Sequence, residues 1–169
     1  MRNIVRVLVA VTSLLTVSSV AGRVLAENNH GEGTVTQDSA YVEKLVFHVS
    51  ITEFEDIVEP RLSPDGSAGD RWFEWNSDGC SAPLVGNTGR SFNFTGSCRR
   101  HDFAYRNMHL LERRYGGGRF WNHDVRKRID QQFLSDMKDH CHGRRFIDRP
   151  TCYGWAYTFY NAVRVAGGP

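Results

Sequence analysis

Three consecutive glycines, Gly116-Gly117-Gly118, separate two long stretches of helical periodicity, and this constrains the fold more than any other feature. The pattern predicts one helix over residues 97–114. It predicts a second from Asn122, a good N-cap with Asp124 in the first turn, to His140. A short link argues for two antiparallel neighbours. A further helix is predicted over 152–165, where Trp155, Phe159 and Val163 fall in step, after a turn opened by Pro150. Nearer the amino terminus, Val42, Leu45, Val46 and Val49 recur at helical spacing, and Ser50-Ile51-Thr52 reads as a break before a second short helix. Residues 62–70 and 78–97 carry turn chemistry and read as loops, with the aromatic run 72–75 between them anchoring the chain to the core. The expectation is an all-α fold: a small helical domain with two long antiparallel helices and two disulfides.

The amino terminus has a different character. Arg2 and Arg6 precede an apolar run over 7–21, and Val24-Leu25-Ala26 offers small residues for cleavage. The run is shorter than the ~20 residues of a membrane-spanning helix. Residues 1–26 therefore read as a signal peptide rather than an anchor or a buried helix. The polar segment 27–39 reads as a flexible leader or propeptide, and 40–169 as the domain. A secreted chain with Cys80, Cys98, Cys141 and Cys152 implies two disulfides. Of the three connectivities, short loops favour Cys80–Cys98 and Cys141–Cys152. A zinc site is the weaker reading, because neither CxxC nor HxxxH spacing is present.

Without residues 1–26 the chain carries 18 basic and 19 acidic residues, a balance that argues against nucleic acid as a partner. The charge is unevenly spread. Residues 27–98 hold 4 basic and 12 acidic residues, whereas 99–149 hold 13 basic and 7 acidic. The basic stretch suits either an anionic lipid surface or an ordinary solvated face.

His101 shares a helix face with Ala104, Tyr105 and Met108, so it lies on the inward stripe. Asp102 sits about 100° round the helix and can serve another target. On the second helix, Asp130 shares its stripe with Phe133, Leu134 and Met137. A carboxylate there needs a partner, and His101 on the facing helix is the best candidate. Such a pair fixes the imidazole tautomer and leaves the other nitrogen free as a base. Asp78 stands beside Gly79, whose backbone can approach a ligand closely. Asp78 and Asp102 could share one hard cation, with carbonyls and water completing a calcium shell of weak affinity, roughly 10⁻⁴–10⁻³ M. Each residue also has a plain structural reading: a core histidine, a surface acid, an Asp130 paired with Arg126 or Lys127, a turn-forming Asp78. Their joint fit to one water-activating site favours the catalytic reading.

These residues resemble the secreted phospholipase A2 superfamily. Cys98-Arg99-Arg100-His101-Asp102 is similar to its Cys-x-x-His-Asp signature. The blocks Asp78-Gly79-Cys80-Ser81-Ala82-Pro83, Cys98 to Asn107, and Arg128 to Met137 resemble the small bacterial and fungal branch, over about residues 72–160. The resemblance implies an all-α fold, His101 as general base, Asp130 as its orienting partner, and Tyr105 hydrogen-bonded near the substrate phosphate or the polar network. It implies Ca2+ on Asp78, Asp102 and the Gly79 carbonyl. It implies hydrolysis of the sn-2 ester of glycerophospholipids at a membrane or micelle surface by a secreted monomer with no transmembrane segment. The animal-type calcium loop and additional disulfides are absent, so the interfacial surfaces of those enzymes do not transfer. The other classes weighed are a non-catalytic binding or toxin-like protein on the same scaffold and a disulfide-bonded structural domain with an incidental calcium site. Asn93-Phe94-Thr95 matches a glycosylation acceptor.

Overall fold

The computed structural model describes residues 33–62, 72–80 and 86–166. The expected signal peptide, the first part of the expected leader and most of the 62–70 loop lie outside the described residues, as do Ser81, Ala82 and Pro83. Among the described residues are five α-helices: α1 (Val35–Phe47), α2 (Ile51–Val58), α3 (Thr95–Tyr115), α4 (His123–His142) and α5 (Arg149–Ala166). A 3-10 turn, Glu59–Arg61, extends α2. No strand forms there beyond a single bridge between Thr88 and Asn93. The all-helical expectation is met.

The helix starts follow local chemistry. Thr34 and Gln37 form a reciprocal capping box that opens α1 at Val35. Residues 35–39, within the expected leader, form the first part of α1. Asp38 is buried, and its Oδ2 accepts from Trp72 Nε1 at 2.5 Å and Tyr115 OH at 2.7 Å. Ser50 caps α2 by accepting from Glu53 N. Helix α3 opens at Thr95, two positions before the expected start, because buried Phe94 anchors the chain there and Asn93 Oδ1 accepts from Thr95 N at 3.1 Å. Helix α5 begins at Arg149, not after a turn at Pro150. A proline in a first helical turn lacks only an N–H that would have no intrahelical partner.

Helices α3 and α4 run antiparallel. Positions ascending along α3 meet positions descending along α4: Arg100 meets Asp136, His101 meets Asp130, and Tyr105 meets Arg126. The link between them is shaped by Glu112, whose carboxylate accepts from the N–H groups of Gly118, Phe120 and Trp121. Gly116, at φ +64°, takes the chain out of α3. The buried Arg100–Asp136 pair is bidentate, at 2.6 and 3.0 Å, and Arg100 also donates to Val49 O at 2.6 Å. This guanidinium ties α3, α4 and the α1–α2 link together.

Two apolar clusters flank the α3–α4 seam. One joins Val42, Leu45 and Phe54 to Phe103 and Leu111; the other joins Phe94, Phe133 and Met137 to Phe159. Both disulfides favoured by loop length are present, Cys80–Cys98 and Cys141–Cys152, with Cα separations of 5.3 and 5.6 Å. Among the described residues no helix is long and apolar enough to cross a membrane.

Candidate active site

His101 lies one helical turn beyond Cys98, and Asp130 faces it from α4 with no solvent exposure. Their contact is His101 Nε2 to Asp130 Oδ1 at 2.9 Å. The same Oδ1 accepts from Tyr105 OH at 2.8 Å. Oδ2 accepts from Arg164 Nη1 at 2.7 Å, and Arg126 Nε lies 3.8 Å from it. Burial pushes the Asp130 pKa up, but the hydrogen bonds from His101, Arg164 and Tyr105 outweigh it and hold the carboxyl below its ordinary value. Asp130 is thus an anion that accepts from every neighbour. An accepting Oδ1 places the imidazole proton on Nε2 and leaves the Nδ1 lone pair available to a water. The ring is gripped between Tyr105 and Phe133, at centroid distances of 4.4 and 4.7 Å. Burial, then the hydrogen bond to Asp130, pushes the Tyr105 phenol well above its usual pKa, so it remains a donor.

The loop before α3 brings Asp78 towards Asp102. Asp102 Oδ2 accepts from Ser77 Oγ at 2.6 Å, and Ser77 Oγ accepts from Gly79 N at 3.1 Å. Asp78 is exposed, and its Oδ1 accepts from Arg106 Nη2 at 2.8 Å. That hydrogen bond is the main reason its pKa is lowered. Asp102 is pushed the other way, first by burial and also by the charge of Asp78, against the Ser77 hydrogen bond. Asp78 on the loop and Asp102 on α3 both offer hard oxygen donors of the kind calcium takes. Among the described residues no three His, Cys or acidic side chains gather around one point, so backbone oxygens and water must complete any shell. Gly79 holds φ +72°, and a Cβ there would sit 2.8 Å from the Asn87 side-chain amide. Glycine is required here on both counts.

Asn107 holds this loop against α3. It is fully buried, accepts from Glu74 N at 2.9 Å and donates to Glu74 O at 2.8 Å. The Cys80–Cys98 bridge closes the other end of the loop onto α3. Between loop, α3, α4 and α5 lies a mostly apolar cavity of about 260 Å³, lined by Gly79, His101, Asp102, Phe133, Phe159 and Val163, among others. Cavities of about 450 and 380 Å³ elsewhere are larger, but they contain neither the dyad nor the acidic pair. His101 of the dyad, Asp102 and Gly79 thus border one mostly apolar slot.

A family model described as prokaryotic phospholipase A2 matches residues 42–167. The chain belongs to that family. It is similar to a secretory phospholipase A2 of Arthroderma benhamiae, 30% identical over 132 residues that cover 76% of this chain and 78% of that protein. It is also similar to a secretory phospholipase A2 of Beauveria bassiana, 36% identical over 95 residues. That match covers 56% of this chain and 44% of the Beauveria protein, so the chain spans less than half of it.

The phospholipase A2 fold recruits residues that sequence reasoning did not single out. Arg164, in the last turn of α5, reaches back to Asp130 across 34 positions. Arg126 joins Tyr105 OH to the carbonyls of Val163 and Arg164, which docks the end of α5 on the dyad. Ser77 holds Asp102 of α3, and Arg106 holds Asp78 of the loop. Of these only Arg126, considered as a partner of Asp130 one turn away, carried a sequence signal.

Proposed function

We propose that the protein is a secreted, calcium-dependent phospholipase A2 that hydrolyses the sn-2 ester of glycerophospholipids by direct attack of water, releasing lysophospholipid and fatty acid. The observation that carries this reading is the 2.9 Å contact between His101 Nε2 and a wholly buried Asp130, beside an apolar cavity. A water at Nδ1 loses its proton to His101 as its oxygen attacks the ester carbonyl. Asp130 stabilises the imidazolium that forms, and Tyr105 and Arg164 keep Asp130 in place. His101 then returns the proton to the leaving glycerol oxygen. The apolar walls, Phe133, Phe159 and Val163, accept the acyl chain. No serine or cysteine nucleophile takes part, so no acyl-enzyme forms.

Asp78, Asp102 and the Gly79 carbonyl are the groups that would hold calcium. The fit rests on an exposed loop carboxylate, Asp78, beside the more buried carboxylate of Asp102, and on an all-oxygen donor set. Arg106 holds Asp78 at 2.8 Å, but the pair is exposed and can part. Bound calcium would hold the substrate phosphate and offset negative charge developing on the carbonyl oxygen. Secretion, with residues 1–26 removed, accords with the two disulfides and with relatives named as secretory.

The test is hydrolysis of phospholipid labelled in either acyl chain, with calcium or with a chelator. The reading expects release of the sn-2 chain alone, and only with calcium. Release that ignores the chelator, or comes equally from the sn-1 chain, overturns it.

A further inference from the structure

Among the described residues the large apolar side chains that are exposed are Phe146 (86%), Ile147 (77%), Tyr157 (47%) and Val165 (88%). All four lie in the last hairpin, either in the turn between α4 and α5 or along α5. Core clusters hold most large apolar residues elsewhere among the described residues, so the exposed ones concentrate in this hairpin.

The turn is built to hold its tip outward. Cys141–Cys152 closes its base, and Arg144 N and Asp148 N donate to Cys141 O and Arg145 O at 3.1 and 2.9 Å. Arg144 Nε donates to Ser91 O at 3.1 Å, and Arg149 Nε to Arg144 O at 3.0 Å. Phe146 and Ile147 therefore project from a fixed frame. The same turn carries Arg144, Arg145 and Arg149 against one acid, Asp148, which is itself paired with Arg145 at 3.0 Å. An apolar tip on a turn with this excess of basic residues complements a surface with anionic headgroups above an acyl layer.

Helix α5 itself borders the cavity. At about 100° per residue, Tyr157, Val165 and Ala162 fall within an arc of about 140° on α5. Ala162 is exposed and lines the cavity that contains His101. We propose that the α4–α5 turn and the outward face of α5 dock the protein on anionic phospholipid membranes, with Phe146 and Ile147 inserting between headgroups. This deepens the lipid-hydrolase reading and rests on it for its biological sense. The docking itself is independent of the dyad.

The test compares the wild-type protein with a Phe146→Ser, Ile147→Ser double variant. Binding is measured by sedimentation with phosphatidylglycerol-containing vesicles in chelator, where hydrolysis does not interfere. The proposal expects wild-type binding that weakens with salt and with pure phosphatidylcholine, and at least about a tenfold loss in the double variant. Both substituted side chains are exposed, so the melting temperature should hold. With calcium, turnover of a monomeric short-chain phospholipid should be unchanged while turnover of vesicles falls. Equal vesicle binding by the two proteins overturns the proposal. So does a wild-type dimer in sedimentation velocity that the variant lacks, since the face would then serve self-association. Vesicle binding without hydrolysis of any phospholipid would instead remove the catalytic reading and leave the docking surface standing.

Discussion

Replacing Arg164 by methionine should disable the dyad without touching any group that meets substrate. Arg164 is the strongest partner of Asp130 Oδ2, at 2.7 Å, while Arg126 Nε stands off at 3.8 Å. A hydrogen bond to a charged group contributes about 1.5–3 kcal/mol. Leaving a buried carboxylate short of a partner costs more, up to about 3–5 kcal/mol where nothing replaces it. Here His101, Tyr105 and Arg126 remain, so the loss at neutral pH should be about 2 kcal/mol. The sign of the pH dependence follows. The folded pKa of Asp130 lies below the value of 3.8 that it has when unperturbed. Its stabilising contribution is therefore present above that value and is lost as pH falls through the lower folded value. The substitution raises the folded value towards 3.8, so the stability gap between wild type and variant should narrow as pH falls below about 4. Urea unfolding at pH 7 and pH 3.5 reads this directly. In turnover of a monomeric substrate, kcat should fall about tenfold with KM within about twofold, because a looser Asp130 misorients His101 rather than weakening substrate binding. Unchanged stability and kcat, or a gap that stays constant into acid, would refute the positioning role.

Asn107→Ala removes the side chain that joins Glu74 N and O to α3, and should lower stability by about 2–3 kcal/mol in chemical unfolding. Hydrogen exchange at the Glu74 amide should rise with it. Arg106→Gln removes the ion pair to Asp78 and should tighten calcium binding by up to about fivefold in calorimetry, the upper end for an exposed pair worth about 0.2–1 kcal/mol. Weaker calcium binding in that variant would contradict competition between Arg106 and the ion for Asp78.

The helical core was legible because its periodicity is strong. Asp130 on a stripe with Phe133 and Met137 could satisfy its charge only from a facing helix, which pointed to His101. The disulfides followed from loop length because each closes a short, local segment. What stayed hidden depends on distance in sequence. Arg164 meets Asp130 only because α5 folds back along α4, and no local pattern records that return. The first turn of α1 leaves little apolar periodicity because residues 35–39 are mostly polar. The buried Asp38 among them makes sense only beside Trp72 and Tyr115, far along the chain. Pro150 was read as a turn because a proline signal is the same just before a helix and inside its first turn.

The account turns on His101 acting as a base towards water, and His101→Ala measures that most directly. Fatty-acid release from sn-2-labelled phospholipid at saturating calcium should fall by at least about 10²-fold, with the helical circular dichroism retained. A folded His101→Ala protein that releases labelled fatty acid at the wild-type rate would contradict it.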